Sequence, residues 1–113
     1  MTILEPEYNW AFNPGVRTKT THLVLHHAAA GSAGPMGVHK WHLANSWAGI
    51  AYHYYVRKDG SVYRGRPEDW IGGHTTGYNN ISIGVCFEGN FETEEMPRAQ
   101  MDSGRQLVSD ILK

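Results

Sequence analysis

A chain of 113 residues accommodates one domain around a single core, which sets aside two-domain readings. Ten Lys and Arg stand against eleven Asp and Glu, for a net charge of -1, so there is no basic surface to neutralise a run of phosphates and nucleic acid is excluded as the main partner. The single cysteine, Cys86, excludes an intramolecular disulfide and any zinc site built of several thiolates.

No apolar run reaches the roughly 18 residues of a spanning helix, so membrane insertion is not expected. Glu5, Pro6 and Glu7 occupy the place where a signal peptide has a basic and then an apolar stretch; synthesis in the cytoplasm without Sec-type export is the expectation.

Residues 1–20, with Pro6, Pro14 and Gly15 and no sustained period, read as an extended N-terminal arm leading into a domain over 21–113. Thr21–His27 is β-prone, with Leu23, Leu25 and His27 on one face and His22, Val24 and His26 on the other. His26 and His27 therefore cannot be equivalent ligands of one ion. After a Gly-, Ser- and Pro-rich loop, helical spacing predicts a short helix over Val38–Asn45. Ile50–Val56 and Ser61–Gly65 flank an Asp59-Gly60 turn and predict a β-hairpin, with Tyr52 and Tyr54 on one face and Tyr55 on the other. Pro67–Tyr78 reads as a long irregular loop, the kind that tends to be functional. Ile81–Glu88 alternates as a central strand, and the last segment, from Pro97, carries a helical apolar stripe that is still running at Leu112. The order β, α, β-hairpin, β, α predicts an α/β domain with a mixed central β-sheet flanked by helices.

Histidine is dense, and none of the seven follows His74. His26, ending a strand beside the Gly-rich loop, is a candidate metal ligand against the alternative of a structural histidine. His39 and His42 lie at i and i+3, where surface chance is the better explanation than a metal pair. His74, between Gly73 and Thr75, has backbone freedom to approach a ligand. Tyr52 can donate a hydrogen bond to a developing oxyanion, against plain packing. Cys86, in mid-strand, reads as buried and unreactive. Trp10, Trp41, Trp47 and Trp70 suit either core or a groove that stacks on flat faces.

The blocks LVLHHAAA, GIAYHYYVRKDGSVYRGRP and GGHTTGYNNISIGVCFEGNF, in this order and spacing from about Thr21 onward, resemble the type 2 N-acetylmuramoyl-L-alanine amidase family of phage endolysins, autolysins and peptidoglycan recognition proteins. The resemblance implies that family's α/β fold and hydrolysis of the amide between N-acetylmuramic acid and L-alanine, with Zn2+ as cofactor and bacterial peptidoglycan (muramyl peptide) as partner. It implies His26 as the first zinc ligand, the remaining ligands being expected beyond Lys113, in a C-terminal segment that this sequence does not reach. Tyr52 is implied as the catalytic oxyanion or water-positioning residue, and His27, Trp47, His74, Tyr78 and Asn79 as substrate-binding residues, with Trp41 and Asn80 nearby. Cys86 falls where some members carry a catalytic glutamate, as in endolysins that use a tyrosine. Action on the cell wall, from a phage, prophage or bacterium, follows by resemblance. A non-catalytic peptidoglycan-binding module is the alternative.

Overall fold

The strand with the clearest alternation organises the molecule. In this computed structural model, which describes residues 1–113, β5 (Ser82–Phe87) lies inside a five-stranded mixed sheet with β1 (Ile3–Leu4), β2 (His22–His27), β3 (Tyr54–Val56) and β4 (Val62–Arg64), in the order β1-β4-β3-β5-β2. β5 pairs parallel with both β2 and β3, β3 and β4 form the antiparallel hairpin, and β1 runs parallel to β4. Two helices, α1 (Pro35–Ala44) and α2 (Arg98–Ile111), complete the fold.

The period of two in β5 sends its residues to two separate cores. Ile83, Val85 and Phe87 join Tyr54, Val56 and Val62 beneath Leu107 of α2. Cys86 faces the other way, into a cluster with Tyr55, Ile50, Ala33 and Val38 of α1. α2 sits close to the sheet because Gly104 lies flat on Phe87: a Cβ there would be 2.5 Å from the ring. Buried Gln100 joins helix to strands, its Nε2 donating to the carbonyls of Val56 (3.0 Å) and Glu88 (2.8 Å).

Three local details differ from the sequence reading. α1 begins at Pro35, three residues before the predicted start, because proline supplies a preset φ at the first helical position and its missing N–H is no loss there. The regular part of the hairpin begins only at Tyr54, and Tyr52 and Tyr54 occupy opposite faces: Tyr54 packs under α2, whereas Tyr52 packs beside Tyr55 and Cys86. The cause is an irregular ladder, in which the successive N–H groups of Gly65 and Arg66 donate to His53 O and Tyr52 O, both at 2.8 Å. Gly65 makes this possible, since any Cβ would collide with the Tyr52 carbonyl. Finally, the arm is extended but bound along its length. Ile3 and Leu4 form the edge strand β1, the Tyr8 hydroxyl donates to Arg64 O (2.6 Å), Ala11 N–H donates to Ala48 O (2.9 Å), and Val16 bridges Trp70.

Candidate active site

The site is built at the last residues of β2. Strand alternation turns His26, in register with Cys86, toward the α1 face of the sheet, where its ring lies 5.4 Å from that of Tyr52 and 5.0 Å from that of His74. His26 Nε2 is 2.9 Å from His74 Nδ1, and Thr75 Oγ1 stands within hydrogen-bond reach of both nitrogens, at 3.2 and 3.0 Å.

His74 reaches this position because its loop is held from within. Asn79 Oδ1 accepts from the N–H groups of both His74 and Thr75, each at 2.8 Å, and closes the turn. The imidazole then rests on bare backbone: a Cβ on Gly84 would lie 2.6 Å from His74 Cδ2. The Ser82 hydroxyl gives its proton to Tyr78 O (2.7 Å), so the contact between Ser82 Oγ and His74 Nε2 at 3.3 Å requires the histidine to donate. With the proton on Nε2, His74 Nδ1 is an acceptor that faces His26.

Burial shapes the electrostatics. It pushes the His74 pKa down to about 3, with the neighbouring His26, His53 and Arg66 adding to the effect. Burial, and then the adjacent His27, also lowers His26. Both imidazoles are thus neutral near pH 7. Burial raises Tyr52 above the ordinary phenol range, with Cys86 contributing, so its hydroxyl keeps its proton and serves as a donor. Cys86 is fully buried and pushed up to about 12, mainly by burial, so it is no thiolate nucleophile, in line with the sequence reading. Glu88, two residues along the same face, is equally unsuited to acid–base work. Burial raises its pKa, but Arg57 at 2.9 Å and the N–H groups of Lys58 and Ala33 outweigh that and hold it low.

The expected site residues separate into two groups. His26, Tyr52 and His74 converge, and Asn79 belongs with them as the anchor of the His74 loop. Trp47, half exposed, packs on His42 with ring centres 4.7 Å apart and stands at the margin of the site. Tyr78 is exposed against His22 (5.0 Å), Asn80 is exposed on the same loop, and Trp41 is exposed on α1. His27 does not join them. It projects from the opposite face of the sheet, stacks on Phe91 and accepts the Phe91 N–H at 3.2 Å. Trp10 and Trp70 are not groove walls either, since they pack on each other with ring centres 5.1 Å apart.

The His39 and His42 pair is not a matter of surface chance. His39 is 2 % exposed and its Nδ1 accepts the Ile50 N–H, while His42 Nδ1 accepts the Ala51 N–H, both at 2.9 Å, so the two together fasten the segment entering the hairpin. Sequence reasoning passed over His53, which is fully buried, accepts Gly84 N–H on Nδ1 (3.0 Å) and lies 2.7 Å from Trp70 O through Nε2. It also passed over Thr75 and Ser82, although alternation along β5 already placed Ser82 on the face of Cys86 and His26. No group of three His, Cys, Asp or Glu side chains is arranged to hold a metal ion.

Known proteins share this arrangement of chain. A family model described as N-acetylmuramoyl-L-alanine amidase matches residues 16–113. The endolysin of Klebsiella phage KP32 is 33% identical over 103 residues, covering 84% of this chain and 68% of that protein. Among solved structures, the N-acetylmuramoyl-L-alanine amidase LysC from Clostridium intestinale URNW superposes with a TM-score of 0.95 at 36% identity, covering 99% of this chain and 75% of LysC. The ectodomain complex of peptidoglycan recognition proteins LCa and LCx, solved with bound tracheal cytotoxin, gives a TM-score of 0.88 at 28% identity, covering 97% of this chain and 75% of that one.

Proposed function

Because the chain belongs to the N-acetylmuramoyl-L-alanine amidase family, we propose that it acts on muramyl peptide of bacterial peptidoglycan, as an amidase that cleaves between the lactyl group and L-alanine. The observation that carries this reading is the meeting of His26, Tyr52 and His74 on one face at the end of β2. Hydrolysis adds water across the amide: the oxygen bonds to the lactyl carbonyl carbon, the C–N bond breaks and a proton goes to the alanine nitrogen. As that carbonyl becomes tetrahedral its oxygen gathers negative charge. Tyr52, kept protonated by burial, is the donor available to hold that charge, and His74, locked by Asn79 and Ser82, fixes the orientation of the His26 ring.

Zinc enters as part of this proposal, with His26 as the ligand that this chain contributes. An open catalytic zinc site takes three protein ligands. Here His26 Nε2 and His74 Nδ1 sit at hydrogen-bonding distance from each other, the Thr75 hydroxyl beside them is a poor zinc ligand, and no third His, Cys, Asp or Glu side chain joins them. The residues present do not make that donor set, so no chemical step is assigned to the metal. The same observation favours a second reading, in which the chain binds muramyl peptide without cleaving it. Site of action at the cell wall belongs to this proposal as well; the structure itself has no helix long and apolar enough to cross a membrane.

Calorimetry with muramyl tripeptide, with and without a chelator, together with mass spectrometry of the products, separates the readings. Amidase action releases a peptide with a free alanine amine and falls about 10- to 1000-fold in Tyr52→Phe with binding retained, and whether that release stops on chelation tests the zinc part of the proposal separately. Binding that survives chelation, with no released peptide, identifies a recognition module. Absence of binding removes both.

A further inference from the structure

A cavity of about 340 Å³ adjoins the His26 site. One wall comes from the arm, through Phe12 and Pro14, together with Trp47 from the loop after α1; Gly73 and Asn79 of the His74 loop form another, and Arg66 is among the remaining lining residues. The connection to the site runs through both walls. Trp47 packs on His42, whose ring centre is 5.7 Å from that of Tyr52, and Asn79 holds the loop that delivers His74.

Phe12 is 52 % exposed, yet its backbone is not free. On one side Trp10 packs among Tyr8, His39 and Trp70, and Ala11 N–H donates to Ala48 O (2.9 Å). On the other, Gly15 N–H donates to Asn13 Oδ1 (2.8 Å) and Gly15 O accepts Ile71 N–H (2.9 Å). A large apolar ring is thus held half in water by chain pinned on either side of it, where a polar residue would cost nothing. That is the pattern of a contact surface rather than of a loose tail.

The charge in the cavity selects among ligands. Arg66 is 3 % exposed, gives its Nε and one terminal nitrogen to the carbonyls of Ile50 and Ile71 (2.8 Å each), and takes part in no ion pair. A cation without a carboxylate partner favours a peptide bearing acidic groups over a neutral sugar.

We propose that Phe12, which precedes the family-matched segment, is a specificity-determining wall for the stem peptide of muramyl peptide, packing on its aliphatic groups beside Trp47. The proposal rests on the functional reading above. Its test compares the unmodified chain, Phe12→Ala and Phe12→Tyr by calorimetry against two probes, muramyl tripeptide and a tetramer of N-acetylglucosamine, with thermal melting of each variant. Loss of the ring weakens muramyl tripeptide binding by about five- to tenfold, the effect of removing one half-buried aromatic wall. Phe12→Tyr keeps affinity within about twofold, both variants melt close to the parent, and the sugar tetramer does not discriminate among them. Equal peptide binding by Phe12→Ala and the parent overturns the proposal, as does a loss confined to the sugar probe, which would make the cavity a glycan site. If the parent binds neither probe, the functional reading fails and this one with it; if the parent binds and Phe12→Ala is unchanged, only the role of Phe12 falls.

Discussion

A buried histidine is told apart as reagent or scaffold by what its two nitrogens already hold. His53 has both occupied, with Gly84 N–H on one side and Trp70 O on the other, and burial lowers its pKa to about 4, so it is neutral with its proton fixed on Nε2. It joins the hairpin, the central strand and the loop that leads to His74. Replacing it with alanine empties the volume of a fully buried ring and leaves two main-chain groups unpaired, which is expected to cost about 3–4 kcal/mol. Urea denaturation would show this as a lower midpoint at unchanged slope. His22→Ala is the contrasting substitution: that ring is exposed, touches Thr21 and Tyr78 at the rim, and its loss should fall within about 0.5 kcal/mol. A change in the His53 variant no larger than in His22→Ala would mean that water replaces both bonds.

At the scale of elements, the hairpin decides where Tyr52 points. Regular pairing would have kept Tyr52 on the face of Tyr54, under α2 and away from His26. The irregular ladder at Gly65 moves it to the His26 face, and Gly65→Ala, which forces a Cβ into the Tyr52 carbonyl, is expected to cost about 2–4 kcal/mol and to turn Tyr52 out of the site. Thermal melting measures the first effect and loss of the Tyr52-dependent reaction the second; a variant that melts like the parent would show that the strand can shift without strain. This also marks what the sequence could disclose. Alternation in β5 and β2 was plain from their apolar pattern, and it correctly set His26 apart from His27 and buried Cys86. The face of Tyr52 was not readable, because it depends on a glycine 13 positions away permitting a close backbone approach. Likewise the histidines on α1 looked idle in sequence, since their partners are main-chain N–H groups of a loop with no side-chain signature. The fold was legible through periodicity and the resemblance, whereas the inner hydrogen bonding of the site depended on contacts between segments distant in the chain.

Over the whole molecule, the same use of neutral imidazoles ties stability to pH. Burial holds His42 and His53 near 4 and His74 near 3, against about 6.5 in an unfolded chain. The sign follows from proton counting. Above pH 6.5 neither state is protonated at these rings and their contribution is fully present; as pH falls toward 4 the unfolded chain takes up as many as three protons that the folded one refuses, so stability drops. Near pH 5 the slope approaches about 4 kcal/mol per pH unit, from about 1.4 for each proton, which is a large part of the roughly 5–15 kcal/mol that holds a domain of this size. Glu88 does not oppose the trend: its pKa is held low in the fold, so its contribution too is lost on acidification, but only as pH falls through the ordinary carboxylate range toward its lower folded value. Melting temperature should therefore begin to fall near pH 6.5, well before any carboxylate titrates, and the protein should unfold at room temperature between about pH 4 and 5. His42→Asn, which can still accept the Ala51 N–H but does not titrate, should flatten the slope by about one proton. A melting temperature that stays level down to pH 5 would show that the rings take up protons inside the fold, and that the bonds from Ala51 and Gly84 open without unfolding it.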